Sequence, residues 1–224
     1  MPVREDVAGA RAATAALLAH LDGLDLTAPS LLPGWSRAHV VAHLAGNARG
    51  HVRMLDGCLS GEVVAQYPGG SAGRAAEIEG LAADPVGALE AHRQACAELD
   101  ARWARMTPEL WKRHVERLDA GARPASGLVW SRWKEVEVHR VDLAAGYGPA
   151  DWDPTFARRL LSTLLARPDL PPMTVVVEDA VPVGRSGLQV AGSVPALAGW
   201  LSGRSDGSDL DVTGGELPPV PPWG

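Results

Sequence analysis

The sequence predicts an α+β protein: an antiparallel four-helix bundle over residues 1–150, followed by a smaller α/β domain over 151–224. Three observations predict it. Residues 3–145 carry four long segments with apolar residues at helical spacing, several opened by capping residues. The connections between them are those of antiparallel neighbours in a bundle. After Gly146-Tyr-Gly148 the character changes, and a β-branched run, Met173-Thr-Val-Val-Val-Glu178, follows a Pro-Pro pair.

Residues 3–23 read as an Ala-rich helix with Leu17, Leu18 and Leu21 on its apolar stripe and Gly23 as its stop. Leu32-Pro-Gly-Trp35 is a turn. Ser36 then N-caps a helix running to about Asp56, with Gly57 expected to end it. The Gly-rich stretch 61–75 reads as loop, with a further helix starting near Arg74. Asp84 and Pro85 open a helix to about Met106, and Thr107-Pro108 opens a short helical turn carrying Trp111. Residues 119–126 are expected to be irregular, and the fourth long helix runs from Gly127 to Ala145. In the second part, Asp153 or Pro154 opens a helix to about Ala166. Strands are expected at Met173–Glu178, Ser186–Val190 and Leu210–Val212, with a short helix from Ser193 to Leu201. The Pro-rich tail from Leu217 to Trp223 is unable to continue a helix.

The composition narrows the function classes. The formal net charge of -6 argues against a nucleic-acid partner, which calls for a basic face. No apolar run approaches the roughly 20 residues that cross a bilayer, and the N-terminal residues lack an apolar signal core, so a cytoplasmic protein is expected. Cys58 and Cys96 form no CxxC motif and no disulfide framework, and they read as bystanders in a reducing compartment. No Gly-rich phosphate loop and no nucleophile elbow is present.

The chemistry concentrates in two helices. Glu135 and His139 stand four residues apart, so both side chains leave one helix face a turn apart. Far upstream, His39, His43, Asn47 and His51 follow one another at four-residue steps. That stripe drifts by roughly 40° per step, so His39 and His51 do not point where His43 points. His43 is central, flanked by Val40, Val41, Leu44 and Ala45, and faces inward. Side by side, the two helices could supply a His/Glu/His set to one zinc-like ion, leaving a position open for a reacting group. Pattern alone leaves blander readings open: a hydrogen-bonded core histidine at 43, and a surface ion pair at 135 and 139 worth a few tenths of a kcal/mol. On the wheel, Arg132, Lys134 and Glu137 take the solvent face. Asp142 could hold the far nitrogen of a metal-bound imidazole, or be a surface charge beside Arg140. Arg204, in the turn Gly203-Arg-Ser-Asp-Gly207, reads first as a solvated loop arginine, although an arginine there could also grip a carboxylate.

Three segments, in order, resemble the mycothiol-dependent maleylpyruvate isomerase family. They are Leu32-Pro-Gly-Trp-Ser-Arg-Ala-His-Val-Val-Ala-His43-Leu-Ala-Gly-Asn47, then Val129-Trp-Ser-Arg-Trp-Lys-Glu135-Val-Glu-Val-His139-Arg-Val-Asp-Leu143, and the closing run around Gly199-Trp-Leu-Ser-Gly-Arg204. The resemblance implies a DinB-like bundle with a small α/β domain. It implies zinc, or another divalent transition metal, held by His43, Glu135 and His139, and Arg204 as a catalytic residue that also binds mycothiol or substrate. It leaves His39 and His51 outside the ligand set. The implied activity is cis–trans isomerisation of maleylpyruvate to fumarylpyruvate through a zinc-activated thiolate adduct. The partners are a small-molecule substrate and the thiol, with no nucleic acid or membrane. The alternatives are an S-transferase using the same zinc site and a non-catalytic zinc- or thiol-binding protein.

Overall fold

Small residues and leucines one turn apart give the first helix its buried stripe. In α1, Val3–Leu21, the stripe is Asp6, Ala10, Ala13, Leu17 and Leu21. The computed structural model describes residues 3–118, 121–177, 183–184 and 187–223. Its contacts divide the chain into two compact units, Met1–Ala144 and Ala145–Gly224.

In the first unit, α2 spans Arg37–Ser60 and is buried along most of its length. It follows Ser36, as the sequence predicts, but runs past Gly57. Gly57 is a packing residue: a Cβ there would lie 2.7 Å from the Glu62 carbonyl oxygen and 3.0 Å from Val64 Cγ2. The helix stops at Gly61, whose φ of 88° is open to glycine at little cost. Next come α3, Gly70–Ala82, and α4, Pro85–Trp103. A short 3₁₀ turn, Leu110–Lys112, carries Trp111. An antiparallel hairpin follows, β1 His114–Arg117 with β2 Gly121–Pro124, its second strand lying in the stretch 119–126 that the sequence predicts to be irregular. Residues 119 and 120 of that stretch lie outside the described residues. Helix α5, Gly127–Asp142, completes the unit.

Four long helices enclose the core: α1 packs on α5 and α4, and α2 packs on α4 and α5, with α3 laid on α2. Close approach of α1 to α5 depends on Gly9, where a Cβ would stand 2.3 Å from the Trp133 ring. Gly9→Ala therefore overpacks this contact and should destabilise the protein by about 1–3 kcal/mol. A lower midpoint in urea checks this; an unchanged midpoint contradicts it.

Packing on two sides also overturns the solvent face expected for α5. Arg132 is 0% exposed and Glu137 is 5% exposed. Arg132 Nη1 donates to the Leu44 carbonyl at 2.8 Å and to Asn47 Oδ1 at 3.0 Å, and its Nη2 lies 3.4 Å from Cys96 Sγ. Cys96 thus has a cation beside it that the sequence does not reveal. A buried guanidinium is tolerated when such acceptors replace its water.

The second unit contains α6, Pro154–Leu165, capped by Asp153, whose Oδ1 accepts from the Thr155 and Phe156 amides at 2.8 and 3.1 Å. Strand β3, Thr174–Val177, pairs in parallel with β4, Gln189–Gly192, and β4 pairs antiparallel with β5, Asp211–Thr213. Helix α7, Val194–Leu201, begins at the Ser193 cap and packs on α6. Glu178 and Ser186, at the edges of two expected strands, lie outside the described residues. The protein is α+β, with a helical N-terminal unit and a small sheet-containing unit after it. Among the described residues no helix is long and apolar enough to cross a membrane.

Candidate metal centre

The start of α2 and the end of α5 are stitched together by backbone acceptors. Where α5 stops, its last carbonyls lack helical partners. Arg37 supplies donors to two carbonyls there, from Nε to Leu143 O at 2.6 Å and from Nη2 to Ala144 O at 2.8 Å. The Leu31 amide donates to the Asp142 carbonyl at 2.9 Å. At the N-terminus of α2, the Ser36 amide donates to His39 Nδ1 at 3.2 Å, and the Ser36 hydroxyl lies 2.7 Å from the same nitrogen. His39 is therefore part of the helix cap.

This fixes His43, one turn further along α2, against Glu135 and His139 on α5. One donor atom from each of His43, Glu135 and His139 lies within 4.8 Å of the other two. His43 Nε2 is 2.9 Å from Glu135 Oε2, and His139 Nε2 is 3.5 Å from that same oxygen. The imidazole rings meet edge to face at 4.6 Å. Trp35 lies beside them, its ring 5.9 Å from His43 and 6.2 Å from His39.

The outward nitrogens are also engaged. His139 Nδ1 is 2.8 Å from Asp142 Oδ2, and Asp142 is only 1% exposed. The carboxylate accepts, so Nδ1 carries a proton; Nε2 faces Glu135, donating to it when the ring is protonated and presenting its lone pair when the ring is neutral. His43 Nδ1 is 3.1 Å from Arg74 Nη2, on α3. Arginine only donates, so this Nδ1 accepts, and the proton of neutral His43 is on Nε2, donated to Glu135.

Burial and neighbours separate the three ionisations. Desolvation, with repulsion from His139, lowers the His43 pKa to about 4 against the attraction of Glu135. Burial opposes charge on His139 too, but its hydrogen bonds to Asp142 and Glu135 outweigh that and raise its pKa. Burial works against the Glu135 carboxylate, yet hydrogen bonds from both imidazoles hold it well below the usual carboxylate range. Two imidazole nitrogens and one carboxylate oxygen form a donor set suited to zinc and neighbouring transition metals.

His51 lies elsewhere: it is 0% exposed, and neither ring nitrogen has a hydrogen-bond partner among the described residues. Arg204 belongs to the second unit, in the turn after α7, where Nη1 donates to the carbonyls of Ser202 at 2.6 Å and Trp223 at 3.0 Å. Sequence reasoning missed Arg37 and Arg74. Arg37 is visible only as the residue after a cap, and Arg74 sits in a Gly-rich stretch with no periodic signal.

Residues 7–144 match the sequence profile of the mycothiol maleylpyruvate isomerase N-terminal domain. No curated protein matches the sequence. Two solved structures are similar over the whole chain. One is the crystal structure of the mycothiol-dependent maleylpyruvate isomerase, with a TM-score of 0.92 and 25% identity, covering 100% of this chain and 98% of that one. The other is a histidine-to-alanine mutant of that isomerase, with a TM-score of 0.91, the same identity and the same coverage.

Proposed function

The chain belongs to the mycothiol maleylpyruvate isomerase family, and from that premise we propose that it is a metal-dependent, thiol-using isomerase converting maleylpyruvate to fumarylpyruvate. The observation that carries this reading is the convergence of His43, Glu135 and His139 inside the matched region. These three would hold one divalent ion, with zinc the best fit to the donor set. When bound, the ion would lower the pKa of a coordinated thiol such as mycothiol and so supply a nucleophile for reversible addition to the cis double bond.

The chain's own groups prepare that site. Asp142 fixes the His139 tautomer and so keeps Nε2 available as a ligand atom. Burial keeps His43 neutral, which a ligand imidazole requires. Glu135, ionised between the two rings, offsets part of a divalent charge. Arg204 is assigned to a carboxylate of the substrate or to mycothiol, on the likeness of its closing segment to the family's.

A proton must leave His139 before the triad takes a metal, because its pKa is raised; neutral His43 has no excess proton to lose. Metal affinity should thus fall as pH drops through the His139 pKa, by about tenfold per pH unit for one displaced proton. Chelator-competition titrations run from pH 6.5 upward measure it. A flat profile contradicts the His139 assignment. The reading as a whole is tested by chelation. Stripping the metal should abolish isomerisation, and one equivalent of zinc should restore it. Full turnover by stripped protein refutes the reading.

A further inference from the structure

Arg74 touches the triad from outside it. Its guanidinium stands over the Tyr67 ring, 5.9 Å from the centroid. Tyr67 is 5% exposed, and Arg53 also lies against its ring, 5.8 Å from the centroid, while its Nε donates to the Gln66 carbonyl at 2.9 Å. The site therefore holds Arg74 in place with a buried phenol behind it.

Among the described residues Arg74 has no carboxylate partner, whereas Arg49, which reaches the same helix α3, pairs with Glu77 at 3.2 Å. Among the described residues, Arg74 hydrogen-bonds His43 Nδ1 and stacks over the Tyr67 ring. Its planar fork of donors is matched to a carboxylate and is spent on one ring nitrogen.

That contact is also incompatible with a metal on His43 Nε2. A neutral imidazole that gives its Nε2 lone pair to an ion carries its proton on Nδ1. Nδ1–H and the Arg74 N–H would then be two donors face to face, and Arg74 has to let go. With a metal on His43 Nε2, Arg74 would be left beside the centre, stacked over the Tyr67 ring, with its fork of donors free.

We propose that Arg74 binds a carboxylate of the substrate and that loading the metal releases it from His43 to do so. This rests on the reading that the triad holds a metal and that the substrate is a dicarboxylate.

The test uses Arg74→Gln and Arg74→Lys in the zinc-loaded full chain. It reads zinc affinity by chelator competition, maleate binding by calorimetry, and steady-state constants for maleylpyruvate and mycothiol. Losing one charge-assisted contact should weaken maleate binding and raise the maleylpyruvate KM by about 10- to 100-fold in Arg74→Gln. Zinc should bind at least as tightly and the mycothiol KM should not move, with Arg74→Lys recovering part of the loss. Unchanged maleate binding in Arg74→Gln overturns the proposal, as does a tenfold loss of zinc affinity with all constants falling together, the mark of a structural prop. Wild-type protein that binds maleate through Arg74 yet does not isomerise maleylpyruvate refutes the proposed reaction and leaves the anion site standing.

Discussion

Alanine in place of His43, Glu135 or His139 should strip the protein of its metal and its turnover together. Each side chain supplies one of three donor atoms within 4.8 Å of one another, so two ligands remain after any single change. The loss in metal affinity should exceed the roughly 10- to 100-fold that follows removal of an outer hydrogen-bond partner. Asp142→Asn provides that smaller step. The amide oxygen can still accept from His139 Nδ1, but without the charge, so affinity should fall within that 10- to 100-fold range. His39→Ala should keep its metal, because His39 serves the α2 cap. Metal content after dialysis, with far-ultraviolet circular dichroism to show that the variants fold, separates the cases. A folded His139→Ala protein with a full complement of zinc contradicts the ligand set.

The second large effect is on stability in acid. His51 and His92 are both 0% exposed, and burial, reinforced by the Arg132 charge, lowers the pKa of each to about 3 from the ordinary 6.5. A folded-state pKa below the unfolded one means that the unfolded chain binds more protons. The stability is full above pH 6.5 and is lost as pH falls from there toward 3. Each histidine removes about 1.4 kcal/mol per pH unit over that window, so the pair removes about 5 kcal/mol by about pH 4.5. That is comparable to the whole stability of many domains, so the metal-free protein should unfold cooperatively within the window. In metal-free protein His43 adds to the slope in the same direction. His51→Leu removes one titrating group and a ring with no hydrogen-bond partner among the described residues, so it should raise stability and flatten the acid limb. Urea midpoints measured across the window check this; an acid limb unchanged in His51→Leu contradicts the assignment.

These residues also show what was legible in the sequence. The i, i+4 spacing of Glu135 and His139, and the apolar flanks of His43, are local features, and local features survive into the structure. The caps at Ser36, Asp153 and Ser193 are legible for the same reason. Gly57 is not, because a glycine that lets another segment approach looks in sequence like one that ends a helix; only the neighbouring Glu62 and Val64 distinguish them. Arg132 misleads the helical wheel because its acceptors, the Leu44 carbonyl and Asn47, come from a helix 85 or more residues away. The β1–β2 hairpin, His-Val-Glu-Arg paired with Gly-Ala-Arg-Pro, buries only Val115, so it leaves no apolar alternation to read. Arg74 and Arg37 act through contacts 31 and 106 residues distant in sequence, which no spacing rule reaches.

The central claim is that this chain uses a thiol as a recyclable nucleophile at the His43–Glu135–His139 centre. The most direct measurement follows maleylpyruvate absorbance with zinc-loaded protein, with and without mycothiol well below the substrate concentration, and counts free thiol at the end. The account predicts fumarylpyruvate formation only when mycothiol is present, many turnovers per thiol, and full recovery of the thiol. Consumption of one thiol per substrate would make the protein a transferase, and no turnover by protein that still holds its zinc would contradict the isomerase account outright.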